Sequence, residues 1–347
     1  ADQQKANLLI RCGPARDDRE GLILSGHMDV VPPGESGWSS DPFSLRDDGE
    51  RLFGRGACDM KGFLALAMNE LLRHADGTLD APLCLLFTFD EEVGTLGAQH
   101  FRETWHGTEP LPSHAVIGEP TKLQPVRMHK GHLKLRIVAR GKSAHSGYPS
   151  LGVNSIEMMG GVIQALASLD QRLRNTPYPT AAFYPEAPYC SLNQAVIDGG
   201  SAVNVVPEKC TLDLGVRLLP GVEADEILVQ IDQALSSLPQ RELLDIETGG
   251  ISPALETPAT CRHHAFLTSQ QAAVTPEKNA DHAGTGAVAF ASDAGVFAKM
   301  DMTCILYGPG DIGVAHRPDE FIPRGEMVTA ASVVGKLVSE FCSHDPR

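Results

Sequence analysis

The residues best suited to chemistry are two histidines and a set of carboxylates that stand at the ends of apolar runs. The first run closes on Ser25-Gly26-His27-Met28-Asp29. Two residues apart on a strand, His27 and Asp29 would share a face. His27 could then ligate a metal ion while Asp29 hydrogen-bonds the other ring nitrogen and fixes the tautomer. A histidine at a strand end is more often structural, so the pair gains weight only from its company. Asp59 stands in Gly54-Arg55-Gly56-Ala57-Cys58-Asp59-Met60-Lys61-Gly62, just ahead of a helical stretch. Glu91 and Glu92 end the run 83–90, Glu119 ends Ala115-Val116-Ile117-Gly118, and His316 follows the glycine-rich Gly308-Pro309-Gly310-Asp311.

Two histidines and three carboxylates, with a spare glutamate beside one of them, suit two zinc-type ions bridged by one carboxylate, with a position left for water. Without cations, a sheet that gathered Asp59, Glu92 and Glu119 would force at least one of them to protonate. Plainer readings exist for each residue alone: Asp59 as a helix cap, the acidic run as a solvated strand end. Their joint order and setting favour the metal.

The elements that must position these residues alternate. Strand signals near 7–11, 22–26, 83–89 and 115–118 are interleaved with helical stretches near 60–74 and 96–104, which indicates a sheet covered by helices. Asp47-Asp48-Gly49 reads as a hairpin tip. From 129 to 252 the order becomes strand (132–140), helix (153–174), strand (191–198), strand (210–218), helix (224–238), strand (243–248). That is the βαββαβ pattern of a ferredoxin-like module. A helix near 287–299, a strand at 303–307 and a helix near 326–341 complete the chain. The expected fold is therefore α/β: a mixed sheet covered by helices, built from residues 1–128 and 253–347, with a ferredoxin-like domain inserted at 129–252.

A chain of 347 residues exceeds what one hydrophobic core usually organises, which agrees with two domains. Its 29 basic and 44 acidic side chains leave a formal charge of −15, which argues against nucleic acid as the main partner. No apolar run reaches the length of a membrane span. The eight cysteines form no CxxC pair and mostly sit in apolar runs, so they read as buried free thiols in a reducing cytoplasm. No leader is recognisable, and residues 7–11 already read as a strand, so the chain is expected to open inside a domain.

The strings SGHMDVVPPGESGWSSDPF, LFGRGACDMKG, FTFDEEVGTLGA, VIGEPT, VARGKSAHSGYPSLGVNSIE, AVNVVPEKC and GPGDIGVAHRPDEF, spread over residues 25–321, resemble the acetylornithine deacetylase, succinyl-diaminopimelate desuccinylase and carboxypeptidase family of di-zinc hydrolases. By that analogy about fifty further residues would precede the first strand. The resemblance implies that Asp59 bridges two Zn2+ ions, for which Co2+ could substitute. One ion would take His27 and Glu119, the other Glu92 and His316. Glu91 would be the general base, with Asp29 counted among the catalytic residues, and the Asp59–Met60 peptide would be cis. In the inserted domain, His145 would reach the partner subunit's site and stabilise an oxyanion, while Asn204 and Arg217 would hold the substrate's carboxylate or carbonyl. A homodimer through that domain follows.

Ala315 to Phe321 resembles the deacetylase branch, which implies removal of the acyl group from an N-acyl-L-amino acid, N-acetyl-L-ornithine first. Ser292-Asp293 stands where that branch has Thr-Glu and is partly similar to the desuccinylase. These two residues are expected to touch substrate, with Asp293 near a cationic side chain. The alternatives are a desuccinylase, a metallo-carboxypeptidase or dipeptidase, and a non-catalytic metal-stabilised binding protein. The spare Glu91 argues against the last, because structural zinc closes its shell. His129 and His132 are expected to stay outside the metal set, His263, His264 and His282 to lie at the surface, and Met158-Met159 to be helix core.

Overall fold

Four of the apolar runs that end near site residues become neighbouring strands of one sheet. In the computed structural model, which describes residues 5–77, 79–107, 109–274 and 286–343, the strand order is Leu8–Cys12, Leu83–Thr88, Leu22–His27, His114–Ile117, Thr303–Leu306. The last four run parallel and the first pairs antiparallel at the edge. Leu22–His27 and Leu83–Thr88 are buried at every residue, as expected of parallel strands covered on both faces. Register places His27 beside Thr88 and Ser25 beside Ile117.

Parallel neighbours need crossovers, and helices supply them. Gly62–Arg73, between Leu22–His27 and Leu83–Thr88, buries Phe63, Leu64 and Ala67, and Arg324–Cys342, which follows the last strand and connects none, buries Ala330, Val333, Val334, Leu337, Val338 and Phe341. The spacing of the second set, three and four residues apart, marks one helical face. Asp47-Asp48-Gly49 does lie at a hairpin tip, between Arg46–Asp47 and Arg51–Phe53, with Gly49 at φ 94°. Strand Phe321–Pro323 pairs with Arg51–Phe53.

This unit comprises residues 1–128, 255–288 and 292–347, and a second comprises 129–254 with 289–291. The second is βαββαβ, with antiparallel strand order Ser191–Gly199, Lys209–Leu218, Gly131–Arg140, Leu244–Ser252. Alternate residues of Gly131–Arg140 (Leu133, Leu135, Ile137, Ala139) pack with Met159, Val162, Leu166 and Leu169 of helix Ser155–Asn175 and with Ile227, Ile231 and Leu235 of helix Ala224–Leu235. The period of two on the strand and of three to four on the helices is what joins them. Asn154 starts the longer helix by accepting the backbone N–H groups of Ile156 and Glu157.

Three expectations need correction. The helix expected over 287–299 spans only Ala294–Ala298, because Ala287–Val288 is extended and Asp293 turns the chain, its carbonyl accepting from Val296 and Phe297. A helix over Arg262–Val274 was not expected, since Arg-His-His-Ala-Phe-Leu-Thr-Ser-Gln-Gln carries no apolar stripe. His263 of that helix is not a surface residue: it is 0% exposed and packs edge-on against His114 and Phe341. His264 is half-buried, and His282 lies outside the described residues. The eight cysteines are unpaired, six of them buried. Among the described residues no helix is long and apolar enough to cross a membrane.

Candidate active site

Parallel strands present their carboxyl ends at one edge of a sheet, and the loops there carry the site. His27 is the last residue of its strand and is 1% exposed. Asp59 lies in the irregular turn Ala57–Lys61, where Asp59 and Met60 leave helical φ/ψ and the peptide between them is cis. Glu91 and Glu92 follow Leu83–Thr88, and Glu119 follows His114–Ile117. His316 stands in the loop after Thr303–Leu306 at a left-handed φ of 62°.

These side chains converge as two groups that share Asp59. Donor atoms of His27, Asp59 and Glu119 lie within 4.8 Å of one another, as do those of Asp59, Glu92 and His316. Asp59 faces both ways: Oδ1 is 3.0 Å from Nε2 of His27 and Oδ2 is 3.2 Å from Nε2 of His316. The same His316 nitrogen is 2.9 Å from Oε1 of Glu92. A carboxylate between two nitrogen-and-oxygen sets is the donor chemistry of a bridged pair of zinc-like cations, and the residues fit that group.

The electrostatics agree. Burial pulls His27 down, but its bond to Asp59 and the charges of Asp59, Glu91 and Glu119 overcome this and raise it well above the ordinary value. Bonds to Asp59 and Glu92 push His316 up to about 10. Burial, then the neighbouring Glu119 charge, raises Glu91, and burial, then Asp59, raises Glu119. The cluster thus holds protons because it carries more negative charge than its surroundings stabilise, and cations answer that excess.

Asp29 is arranged differently from the expectation. It lies beyond the end of its strand, and Nδ1 of His27 is 2.9 Å from its backbone oxygen but 3.7 Å from its carboxylate. With Nδ1–H donating to that carbonyl, Nε2 is left to face Asp59. The carboxylate of Asp29 accepts the backbone N–H groups of Glu91 and Glu92, each at 3.1 Å. The chain turns at Asp90, φ 51°, and presents those two amides together, so a charged acceptor takes both. Among the described residues the Glu91 carboxylate accepts no hydrogen bond, which leaves it available.

Ser292 and Asp293 do not lie at the surface. Both are buried in the first unit, and Oδ2 of Asp293 accepts a 2.5 Å bond from Oγ1 of Thr88. The Asp293 charge is among the causes that raise Glu91 and Glu119. Burial raises Asp293 to about 6.

Two residues missed by sequence reasoning are Arg55 and Glu320, a buried ion pair joined through Nη1 and Oε2. Glu320 also accepts the backbone N–H groups of Cys58 and Asp59. The signal was a glutamate directly before the apolar Phe321-Ile322 in the string that carries His316.

His145, Asn204 and Arg217 belong to the second unit. Val205–Val206 pairs with Ala144–His145, and the Asn204 carbonyl accepts from Ser146 N–H at 3.0 Å, so His145 and Asn204 are neighbours. Arg217 is opposite His132 across the strand pair, and both line a groove of ≈ 570 Å3 with Lys134 and Asn193. Burial, then the charges of Arg217 and Lys134, lowers His132 to about 4.

The chain is similar to known proteins in sequence and in fold. The model of peptidase family M20/M25/M40 matches residues 23–340. An acetylornithine deacetylase of Pectobacterium atrosepticum is 36% identical over 344 residues, covering 98% of this chain and 84% of that protein. Its counterpart in Erwinia tasmaniensis is 34% identical over 342 residues, covering 99% and 85%. Among solved structures, an M20 family metallo-carboxypeptidase of Sulfolobus solfataricus superposes with a TM-score of 0.76 at 16% identity, over 96% of this chain and 87% of that one. A dinuclear metal binding peptidase of the M20 family from Bacillus subtilis gives 0.62 at 15% identity, over 97% and 85%. With its ligand set shared through Asp59 and a family match over nearly its whole length, the chain belongs to peptidase family M20/M25/M40 and is a metal-dependent amide hydrolase.

Proposed function

We propose that the chain is a di-zinc deacylase of N-acyl-L-amino acids, and that its substrate is N-acetyl-L-ornithine, cleaved to L-ornithine and acetate. Glu91 carries the reading. Among the described residues its carboxylate has no hydrogen-bonded partner; it has a raised proton affinity and is fixed through its own backbone beside a ligand set that does not need it. A metal-stabilised binding protein has no use for such a group. The relatives named acetylornithine deacetylase support the substrate, whereas the structural neighbours share the fold alone.

Zinc ions held by His27, Asp59, Glu119, Glu92 and His316 would supply Lewis acidity at the scissile amide. Glu91 takes a proton from the attacking water and returns it to the leaving amine nitrogen. Asp29 keeps Glu91 in place through the backbone bond. His145, beside Asn204, donates to the oxyanion that forms on the substrate carbonyl. Arg217 holds the α-carboxylate with its planar fork, and Lys134 adds positive field in the same groove.

For His145 to serve a neighbouring site, the chain would act as a homodimer through its inserted unit. The edge strand Ser191–Gly199 supports this, since it leaves Val196 and Ile197 59% and 54% exposed at the margin of its sheet. The unpaired cysteines suit a cytoplasmic setting. Rates on N-acetyl-L-ornithine, N-succinyl-L,L-diaminopimelate, N-acetyl-L-methionine and a dipeptide test the substrate. The ornithine derivative should be cleaved with the highest kcat/KM; preference for the succinyl compound or the dipeptide defeats the assignment.

A further inference from the structure

The carboxylate of Glu320 is tied on both sides. Oε1 accepts the backbone N–H of Cys58 at 2.9 Å and of Asp59 at 3.1 Å, and Oε2 accepts from Nη1 of Arg55. Its main-chain carbonyl accepts the N–H of Gly54 at 3.0 Å. Both side chains of the pair are 1% exposed. Arg55 is held in turn, its Cζ 5.3 Å from the ring centroid of Trp38, whose Nε1 donates to the Pro33 carbonyl at 2.8 Å.

A buried ion pair is a poor source of stability, because desolvation offsets most of the attraction. What this pair does supply is position. The turn it grips is the one that aims Asp59, and Glu320 lies four residues after His316 in the same loop. Asp59 and His316 are two of the three ligands in the group completed by Glu92. Neither Arg55 nor Glu320 belongs to either ligand group.

We infer that Arg55 and Glu320 are positioning residues that join the 54–59 turn to the 316–320 loop and thereby set the separation of Asp59 and His316 needed to hold the second cation. The inference rests on the two-metal reading. A bridging carboxylate must meet two ions at once, so a small displacement of its backbone weakens the site that depends on the joined loop more than the site formed by His27 and Glu119. Glu320→Gln keeps an oxygen for the two amides but turns an NH2 toward Arg55, donor against donor.

The test is titration of zinc into metal-stripped full-length protein, with circular dichroism and the melting temperature of the stripped protein as controls. Wild type should take up two equivalents. E320Q should bind the first with wild-type affinity and the second about 10- to 100-fold more weakly, and R55K, which keeps a charge but loses the fork, should fall between. A folded E320Q that binds both equivalents as wild type does overturns the inference, as does a variant that loses melting temperature with no change in either affinity. If E320Q does not fold, R55Q is read by the same titration, since it leaves both amide bonds and removes only their anchor; an unchanged second affinity there overturns the inference too. Wild-type protein that binds no zinc removes the two-metal reading, and this inference with it.

Discussion

Asp29 holds Glu91 by its backbone: Oδ1 of Asp29 accepts the Glu91 N–H at 3.1 Å, and Oδ2 takes the next amide, that of Glu92, at the same distance. One carboxylate therefore fixes the backbone of both the proposed base and the proposed metal ligand next to it. Asp29→Ala frees both amides without removing either carboxylate. We expect kcat to fall about 10- to 100-fold, the usual worth of a group that orients a metal ligand, with tight zinc still bound. Activity within twofold of wild type would show that the turn holds Glu91 unaided.

Replacing Glu91 itself separates the base from the ligands. Glu91→Ala should retain both zinc equivalents while turnover drops by about two or more powers of ten, the usual contribution of a general base. Loss of metal instead would exchange the roles assigned to Glu91 and Glu92.

The pair His145 and Asn204 lies in the inserted unit and bears on the proposed homodimer. Mixing inactive Glu91→Ala and His145→Ala subunits under conditions of exchange should restore activity, because one site of each hybrid combines a native Glu91 with the partner's native His145. Confirmed heterodimers without activity would place His145 in its own subunit's reaction or outside it.

His263 predicts an acid limit to stability. It is fully buried against His114 and Phe341, and burial, then the charges of His114 and His264, lowers it to about 3. Arg262, whose Cζ lies over the Phe341 ring at 4.3 Å, adds to the positive surroundings, while Glu20 and Glu340 are both bonded to Arg262. Because the folded protein binds this proton less readily than the unfolded chain, stability is intact above about pH 6.5 and is lost as the pH falls toward 3. The loss from this one residue should be roughly 2 kcal/mol between pH 7 and pH 5. His263→Phe should flatten the dependence of the melting temperature on pH over that range; an unchanged slope would assign the acid sensitivity elsewhere.

Three of the five proposed metal ligands were legible because they stand at or just after the end of an apolar run, and a fully buried parallel strand leaves its chemistry nowhere to stand but at its carboxyl end. His27, Glu92 and Glu119 are all of this kind. The supporting contacts were not legible. Glu320 reaches Cys58 across a sequence separation of 262 residues, and nothing local to either residue announces it. Asp29 lies two residues from His27 as a ligand's partner should, yet its carboxylate serves the other strand, because the turn at Asp90 offers two amides and the carbonyl of Asp29 already satisfies the ring. Asp293 looks like a loop acid in sequence, yet it is buried and its carboxylate accepts from Thr88, a residue of the central sheet. Helix Arg262–Val274 escaped because, among its described side chains, the buried ones are His263 and Leu267, too few for a stripe.

The central claim is that two ions shared through Asp59 make this chain a deacylase. The direct measurement is hydrolysis of N-acetyl-L-ornithine as zinc is added back to chelator-stripped protein, with bound metal counted in parallel. Activity should be absent without metal and rise to its full value as bound zinc approaches two per chain, with cobalt able to replace it. Full activity in metal-free protein would contradict the account.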